Sequence, residues 1–337
     1  MLENKQIIKY KNIFTIMGND ELIKSVTAKA TTWLSADYDE ATRAEVQKML
    51  DSEDKTELIE CFYKDLEFGT GGLRGIMGVG SNRMNIYTVG AATQGLANYL
   101  KDAFKDNEEI KVVVGHDVRN NSRKFAEISA DIFSANGIKV YLFESLRPTP
   151  EVSFAIRELG CQAGINLTAS HNPKQWNALK LLNENGEFLN DEQGREVLRI
   201  AENDEYEFVP VDELGQVFIN ETYTQKHIDQ VLALNLVDVE AISKANLTVA
   251  VDAVNSVGGT VIPELLEALG VKNIVQLNCE VTGKFAHTPE PLPENLTQIS
   301  DLMKSGIADV GFVVDPDVDR RAIFMENGEM FVEEYTL

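Results

Sequence analysis

Short apolar runs alternate with amphipathic stretches from about residue 110 onward. Four runs predict buried strands: IKVVVGHD, IKVYLFE, AGINLTA and NALKLLN. Two intervening stretches predict helices: NSRKFAEISADIFSANG and TPEVSFAIRELG. In the first of these helices Phe125, Ile128, Ile132 and Phe133 recur at helical spacing, and Gly137 marks its end. This order predicts β-α-β units, in which a mixed sheet is covered by helices.

The same alternation starts again near residue 244, after an acidic and mainly helical stretch from about 187 to 243. Its predicted strands are NLTVAVDA, NIVQLN and DVGFVVD, and its predicted helices are TVIPELLEALG and LTQISDLMKSG. The predicted fold class is therefore α/β, with two consecutive α/β domains at residues 17–243 and 244–330. Residues 1–16 are expected to be a disordered extension, with Met17 as a candidate start, and 331–337 to open a further element.

Composition narrows the partners that such a protein can have. The 337 residues include 54 acidic and 31 basic side chains, a formal net charge of −23, which disfavours nucleic acid and anionic membranes as partners. A local cationic pocket for a phosphorylated small molecule remains compatible with that charge. Isolated Cys61, Cys161 and Cys279 indicate a reduced, cytoplasmic setting. No apolar run reaches the roughly 18 residues that span a bilayer, and the basic N-terminus does not resemble a signal peptide.

The segment VDPDVDRR carries the strongest indication of chemistry. Asp315, Asp317 and Asp319 alternate directly after an apolar run, and alternate residues of an extended backbone share one face. Crowded carboxylates predict a cation that prefers oxygen ligands, such as Mg²⁺, Mn²⁺ or Ca²⁺. A solvated acidic turn is the simpler alternative. An EF-hand would place Glu326 at its last ligand position, but Arg320 replaces the required glycine and a strand, not a helix, precedes the loop.

Two motifs offer donors for phosphate. Arg320 and Arg321 follow the aspartates directly, and FGTGGLRG combines four glycines with Thr70 and Arg74. The glycines would let backbone N–H groups approach a ligand, although an ordinary flexible turn explains them equally well. The motif is neither a Walker loop nor a dinucleotide-binding fingerprint.

A third polar segment, GHDVRNNSRKFAE, places Asp117, Arg119 and Arg123 at a junction between a strand and a helix. A ligand-binding role is one interpretation. The other is structural, with Asn121 or Ser122 as a helix N-cap and the arginines as supports.

In TASHNPKQWNALK, Ser170 stands beside His171, which suggests a hydrolase pair. Neighbours on an extended backbone point to opposite faces, so this pair is not expected to form, and no G-x-S-x-G elbow is present. Lys180, on the following predicted strand, could instead fold back as a general acid or base if its pKa is lowered. A phosphoryl group on Ser170 would account for a metal, arginines and a Gly-rich loop in one chain.

Together these motifs resemble the α-D-phosphohexomutase family, over roughly residues 20–337. TASHNPKQWNALK is similar to its phosphoserine loop, DPDVDR to its metal loop and FGTGGLRG to its N-terminal substrate loop. RPTP, VDAVNSVGG and PLPENL follow the family's order, and Asn177-Ala178 is a minor departure from it. The resemblance implies that the two α/β domains are the family's domains 1 and 2.

The resemblance also implies roles for individual residues. Ser170 would carry the phosphoryl group, and Lys180 would be the general acid and base. Mg²⁺ would be held by Asp315, Asp317 and Asp319 together with an oxygen on Ser170. The residues lining the site and contacting substrate or phosphate would be Thr70, Arg74, His171, Asn172, Arg320 and Arg321.

The implied reaction moves a phosphoryl group between Ser170 and a sugar phosphate. The favoured member is a phosphoglucomutase, which interconverts glucose 1-phosphate and glucose 6-phosphate through bound glucose 1,6-bisphosphate. The alternatives are a phosphomannomutase, a phosphopentomutase or a non-catalytic Mg²⁺-binding fragment. The family has four domains, and its sugar-reading GE-x-SGH loop has no match here, since neither Gly186-Glu187 nor Gly328-Glu329 is followed by SGH. The chain is thus expected to be cut near the start of domain 3.

Overall fold

A computed structural model of the protein describes residues 19–69, 72–201, 214–220 and 223–331. The predicted extension at 1–16 and the last six residues lie outside this part of the chain. The fold divides into two compact units. Of the described residues, one unit contains those up to Glu67 together with Gly75–Thr88, and the other contains those of Phe68–Arg74 and those from Val89 onward.

The first unit is helical. Its helices are α1 (Asn19–Thr32), α2 (Glu40–Asp51) and α3 (Thr56–Phe62). Asp39 caps α2, because its side chain accepts a hydrogen bond of 2.9 Å from the Thr42 backbone N–H. The Tyr87 hydroxyl donates to the same carboxylate at 2.8 Å, and these hydrogen bonds lower the pKa of Asp39 to about 2. Trp33 stacks on Tyr38 within the apolar core of this unit.

The second unit contains two sheets, and the first has seven strands in the described residues. They are β1 (Phe68–Gly69), β2 (Gly72–Ile76), β3 (Lys111–His116), β4 (Lys139–Phe143), β5 (Ala163–Leu167), β6 (Trp176–Asn183) and β7 (Val217–Asn220). Their order is β1-β2-β6-β5-β3-β4-β7. Strands β5, β3, β4 and β7 run parallel, and β6 is antiparallel to β5. The sheet is therefore mixed.

Six helices of the described residues lie between β2 and β8 in the chain. They are α4 (Ile86–Ala103), α5 (Ser122–Ala135), α6 (Thr149–Leu159), α7 (Asp191–Ala201), α8 (Tyr223–Leu232) and α9 (Val239–Ala245). Helix α5 packs on β3 and β4, and α6 packs on β3 and β5. Val113 of β3 is buried against Val152 and Ile156 of α6. Helix α6 ends at Gly160, whose φ of 61° is a conformation that glycine adopts without strain.

The second sheet is smaller and is covered on both faces. Its strands are β8 (Thr248–Asp252), β9 (Asn273–Leu277), β10 (Val310–Val314), β11 (Arg321–Phe324) and β12 (Met330–Phe331), in the order β12-β11-β10-β8-β9. Its helices are α10 (Gly258–Ala268) and α11 (Thr297–Lys304). Because side chains alternate along β8, Ala250 packs against Ile299 of α11, whereas Val251 packs against Leu266 of α10.

The predicted fold class, α/β with two consecutive mixed sheets covered by helices, is confirmed. The described residues between 187 and 243 are mainly helical, as expected, but they also form β7, which pairs with β4 at the edge of the first sheet. This strand has only four residues and is largely exposed, so it lacks the alternation that reveals longer strands. None of the described helices is long and apolar enough to cross a bilayer.

Candidate functional site

The predicted serine and aspartates meet at the carboxyl ends of strands. Ser170 follows the end of β5 by three residues, and Asp315 follows β10 directly. The Ser170 hydroxyl donates to Oδ2 of Asp315 over 2.7 Å, although 145 residues separate them in the chain. Open α/β sheets usually bind their ligands at this edge.

Ser170 is not in an extended conformation. Its φ is 49°, in the left-handed region, where a residue with a side chain is strained. As a result its hydroxyl lies 3.3 Å from Nδ1 of His171, so the prediction that the two side chains point to opposite faces is wrong. Burial, followed by the positive charge of Arg320, lowers the pKa of His171. His171 therefore borders the serine as a neutral ring at pH 7.

Arg119 contacts the backbone of the loop that contains Ser170, which is called the serine loop below. The buried guanidinium donates to the backbone carbonyls of Ser170 and Asn172, the second over 2.7 Å, and its Nε lies 3.1 Å from the Asp117 carboxylate. Asp117 and Arg119 thus fix the backbone that presents Ser170. Arg123 does not join them, because it is exposed and pairs with a glutamate on its own helix.

The three aspartates of the second sheet lie together. Asp315, Asp317 and Asp319 each place a carboxylate oxygen within 4.8 Å of the others, with the first two buried and the third exposed. The three aspartates lie in a turn and not on the extended backbone that the sequence predicted. Val318, in the same turn, has a φ of 61°. Burial and the two neighbouring carboxylates raise the pKa of Asp315 well above its usual range. Such crowding is favourable only when a positive charge offsets it.

Lys180 supplies part of that positive charge. Its Nζ donates to Oδ2 of Asp317 at 2.6 Å and to Oδ2 of Asp319 at 2.7 Å. Burial alone would lower the pKa of Lys180, but the two carboxylates outweigh it and raise the pKa. The lowered pKa expected for a base is therefore not found, and Lys180 is a protonated donor in this arrangement.

The negative charge of the aspartates that Lys180 does not offset fits a divalent cation. Oδ1 of Asp317 is buried and accepts no hydrogen bond from the residues that the structure describes. An isolated carboxylate oxygen inside a protein is unfavourable, and here it lies within the cluster of carboxylates. The atoms of this cluster that could bind a metal are all carboxylate oxygens, the kind of ligand that Mg²⁺ takes in proteins.

Thr149 also belongs to the cluster, although sequence reasoning gave it no role beyond membership of the RPTP motif. Its hydroxyl donates to Oδ2 of Asp317, and its backbone N–H donates to the Asp317 carbonyl over 2.9 Å. The available signal was its position between β4 and a helix, at the carboxyl edge where Ser170 and Asp315 were also expected.

Only some of the other predicted ligand-binding residues contact the serine loop or the aspartates within the described part of the chain. Arg74 donates to the side-chain oxygen of Asn172 over 3.2 Å. The backbone N–H of Arg320 donates to the first aspartate of the cluster, and its side chain is exposed. Arg321 begins β11 and is exposed, and among the described residues its side chain forms no hydrogen bond or ion pair with the cluster. Thr70 lies outside the described residues.

Comparison with known families agrees with this arrangement. Residues 65–208 match the model for phosphoglucomutase/phosphomannomutase, alpha/beta/alpha domain I, and residues 225–328 match the model for domain II. The chain belongs to the α-D-phosphohexomutase family, which includes the phosphoglucomutases and phosphomannomutases.

Individual relatives carry the same family names. The phosphoglucomutase of Staphylococcus haemolyticus is 33% identical over 85% of this chain and 54% of its own length. That of Staphylococcus aureus strain MRSA252 is 32% identical over 82% of this chain and 51% of its own. The chain thus spans about half the length of the curated relatives it matches. A putative phosphomannomutase from Thermus thermophilus shares the fold, with a TM-score of 0.70 at 24% identity, over 80% of this chain and 59% of that one.

Proposed function

We propose that this chain carries the phosphoryl-transfer machinery of a phosphohexomutase, with Ser170 as the phosphoryl carrier. The observation that supports this most is the 2.7 Å hydrogen bond from the Ser170 hydroxyl to a crowded, buried Asp315 beside a protonated Lys180. The favoured reaction interconverts glucose 1-phosphate and glucose 6-phosphate through glucose 1,6-bisphosphate. The names of the two staphylococcal relatives favour glucose over other sugars.

In this proposal each group near Ser170 has a task. Mg²⁺ held by Asp315, Asp317 and Asp319 would offset negative charge on the transferring phosphoryl group. Asp315 orients the serine hydroxyl through its hydrogen bond. Lys180 in its protonated form suits the half-reaction that returns a phosphoryl group to Ser170, because the departing sugar oxygen needs a proton. The proton of the attacking Ser170 hydroxyl would pass to Asp315, which already accepts a hydrogen bond from it, and would return to the serine oxygen in the opposite half-reaction. The opposite half-reaction uses the deprotonated amine.

Substrate binding would rely on local positive charge. The whole chain has a net charge of −23, so a phosphate dianion is attracted only where cationic side chains concentrate. Arg74 and Arg320 provide such charges, and the Arg74 contact with Asn172 links one of them to the serine loop. His171, at 3.3 Å from the Ser170 hydroxyl, would line the same side of the site.

A second candidate is a Mg²⁺-binding fragment without turnover. The coverage of only 54% and 51% of the two relatives favours it, because those proteins have further sequence that this chain does not match. Phosphomannomutase and phosphopentomutase activity remain alternatives within the enzyme class. We also propose two domains, at 17–243 and 244–330. The separate family matches at 65–208 and 225–328 support a division in two, and the second match begins before residue 244.

Intact-mass spectrometry tests the proposal. The purified chain is incubated with Mg²⁺ and glucose 1,6-bisphosphate, and we expect one phosphoryl adduct. Ser170→Ala should remove the adduct, and Ser305→Ala, at an exposed serine in the second domain, should retain it. An adduct that survives Ser170→Ala, or its absence from the wild type, would contradict the assignment. A coupled assay of glucose 1-phosphate conversion then separates a mutase from a fragment that is phosphorylated but does not turn over.

A further inference from the structure

The two carboxylate oxygens of Asp317 have different surroundings. Oδ2 accepts hydrogen bonds from Nζ of Lys180, at 2.6 Å, and from the Thr149 hydroxyl. Oδ1 is equally buried and accepts none from the described residues. Buried polar atoms in folded proteins are nearly always satisfied, so this difference within one side chain calls for a ligand at Oδ1.

Thr149 contributes to the difference between the two carboxylate oxygens of Asp317. It is the first residue of α6, and its backbone N–H donates to the carbonyl of Asp317 while its hydroxyl donates to the carboxylate. The hydroxyl does not cap its own helix, because Pro148 occupies the N-cap position. Its polar contacts among the described residues lie instead on the first sheet and on the metal loop.

Asn166 determines the direction in which the Thr149 hydroxyl donates. Nδ2 of Asn166 donates to Oγ1 of Thr149 over 2.8 Å. A hydroxyl that accepts from an amide has one proton left to donate, and here it points to Asp317. Asn166 of β5 is fully buried and is paired across the sheet with Lys180 of β6. The two donors of Oδ2 are Lys180 and Thr149, and Asn166, which orients Thr149, is the cross-strand partner of Lys180.

We infer that Thr149 is a positioning residue that restricts Asp317 to binding the cation through Oδ1 alone, an inference that rests on the proposed metal site. With two donors on Oδ2, the carboxylate is not free to chelate through both oxygens. Ligation by a single oxygen suits Mg²⁺, which requires near-octahedral geometry, whereas Ca²⁺ accepts bidentate carboxylates and higher coordination numbers. Thr149 thus favours Mg²⁺ over Ca²⁺ at this site.

Isothermal titration calorimetry of the full 337-residue chain with MgCl₂ and with CaCl₂ tests this inference. Thr149→Val keeps the shape of the side chain and removes the donor, and Thr149→Ser is the matched control that keeps it. We expect Thr149→Val to weaken Mg²⁺ binding about tenfold, the lower end of the usual loss for outer-shell partners, and to weaken Ca²⁺ binding less. Thr149→Ser should retain the wild-type ratio of the two affinities.

Three results would overturn the inference. They are unchanged Mg²⁺ binding in Thr149→Val, an equal loss in the valine and serine variants, and equal losses for Mg²⁺ and Ca²⁺. Circular dichroism of each metal-free variant establishes that it is folded. If Thr149→Val does not fold, Asn166→Ala tests the same contact, and a wild-type Mg²⁺/Ca²⁺ ratio in that variant would also contradict the inference.

Asp317→Asn separates this inference from the proposed function. If the wild type binds no Mg²⁺, or Asp317→Asn binds it as the wild type does, the proposed metal site itself is wrong. If Asp317→Asn loses binding while Thr149→Val keeps it, the metal site stands and only the role of Thr149 fails.

Discussion

Two buried aspartates stand at the same edge of the second sheet and have different surroundings. Asp252 is the last residue of β8, and Asp315 directly follows the neighbouring parallel strand β10. The carboxylate of Asp252 accepts hydrogen bonds from the Val254 backbone, from Asn278 and from His287, at 3.1 to 3.2 Å. Its negative charge is thus met by protein donors.

Asp315 has a different set of neighbours. It accepts hydrogen bonds from Ser170 and from the Arg320 backbone, but the nearest charged groups include two further carboxylates. Burial and these carboxylates raise its pKa, so the ionised cluster requires a cation. The sheet thus determines where an aspartate stands, while the balance of donors and acceptors around it determines whether it anchors a loop or binds a ligand.

Replacing each aspartate by asparagine should separate the two roles most strongly. Asp252→Asn should lower the free energy of unfolding by about 3 kcal/mol, because it leaves His287 without its buried counter-charge. Asp315→Asn should raise the stability of the metal-free chain, because it removes one of three crowded carboxylates. Urea unfolding in EDTA measures both. Equal destabilisation by the two substitutions would contradict the distinction.

Metal should stabilise the chain only through the Asp315 cluster. Mg²⁺ at 100 times its dissociation constant should add about 2.7 kcal/mol to the free energy of unfolding, since it binds only the folded state. We expect this gain in the wild type and in Asp252→Asn, and its loss in Asp315→Asn. Urea unfolding with Mg²⁺ and with EDTA gives the comparison. If the stability gained from Mg²⁺ were lost in Asp252→Asn instead, the cation would bind at Asp252 and not at the Asp315 cluster.

Each of the two loops also contains a valine in the left-handed region, Val254 with φ of 47° and Val318 with φ of 61°. Val254 is fully buried, so Val254→Gly should lose about 2 kcal/mol, because lost burial exceeds the strain it relieves. Val318 is only partly buried, so for Val318→Gly these effects should nearly cancel, within about 1 kcal/mol. Thermal unfolding of both variants checks this, and a larger loss in Val318→Gly would argue against the assigned difference.

The smallest effect should be the pH dependence of the Asp252 contact. Burial alone would lower the pKa of His287, but the hydrogen bond to Asp252 outweighs it and raises the pKa. Its contribution is therefore fully present below about pH 6.5 and is lost as the pH rises through the folded-state pKa. The difference in unfolding free energy between the wild type and His287→Gln should shrink over that range.

Glu151 also titrates in this pH range, so the pH dependence has to be measured as the difference in unfolding free energy between the wild type and His287→Gln. Burial raises the pKa of Glu151 to about 7 from an ordinary 4.5, so the wild type also loses stability as the pH rises from 4.5 to 7. His287→Gln should leave that slope unchanged. A constant difference between the wild type and His287→Gln across pH 6 to 9 would show that the histidine is not titrating against Asp252.

Much of the fold could be predicted from the sequence, because strands buried on both faces and amphipathic helices leave strong local patterns. The site was predictable only in part. The strand followed by alternating aspartates indicated a cluster of carboxylates, but no pattern revealed the left-handed conformations of Ser170 and Val318. These conformations depend on the surrounding packing, since neither residue adopts them readily by itself.

Contacts between distant parts of the chain were equally hidden. Thr149 and Asp317 are 168 residues apart, and Arg119 reaches the Ser170 carbonyl across 51 residues. A local pattern could show that these residues are polar and lie at strand ends. It could not show that one threonine hydroxyl occupies one particular carboxylate oxygen, because that depends on how the loops of the two sheets meet.

Anomalous scattering from Mn²⁺ in crystals of this chain would show directly which carboxylates bind the cation. We expect one strong peak among Asp315, Asp317 and Asp319, on the side of the Ser170 hydroxyl and next to Oδ1 of Asp317, with no peak at Asp252. A peak at Asp252 with none at the three aspartates, or a peak among them that lies remote from Ser170, would contradict it.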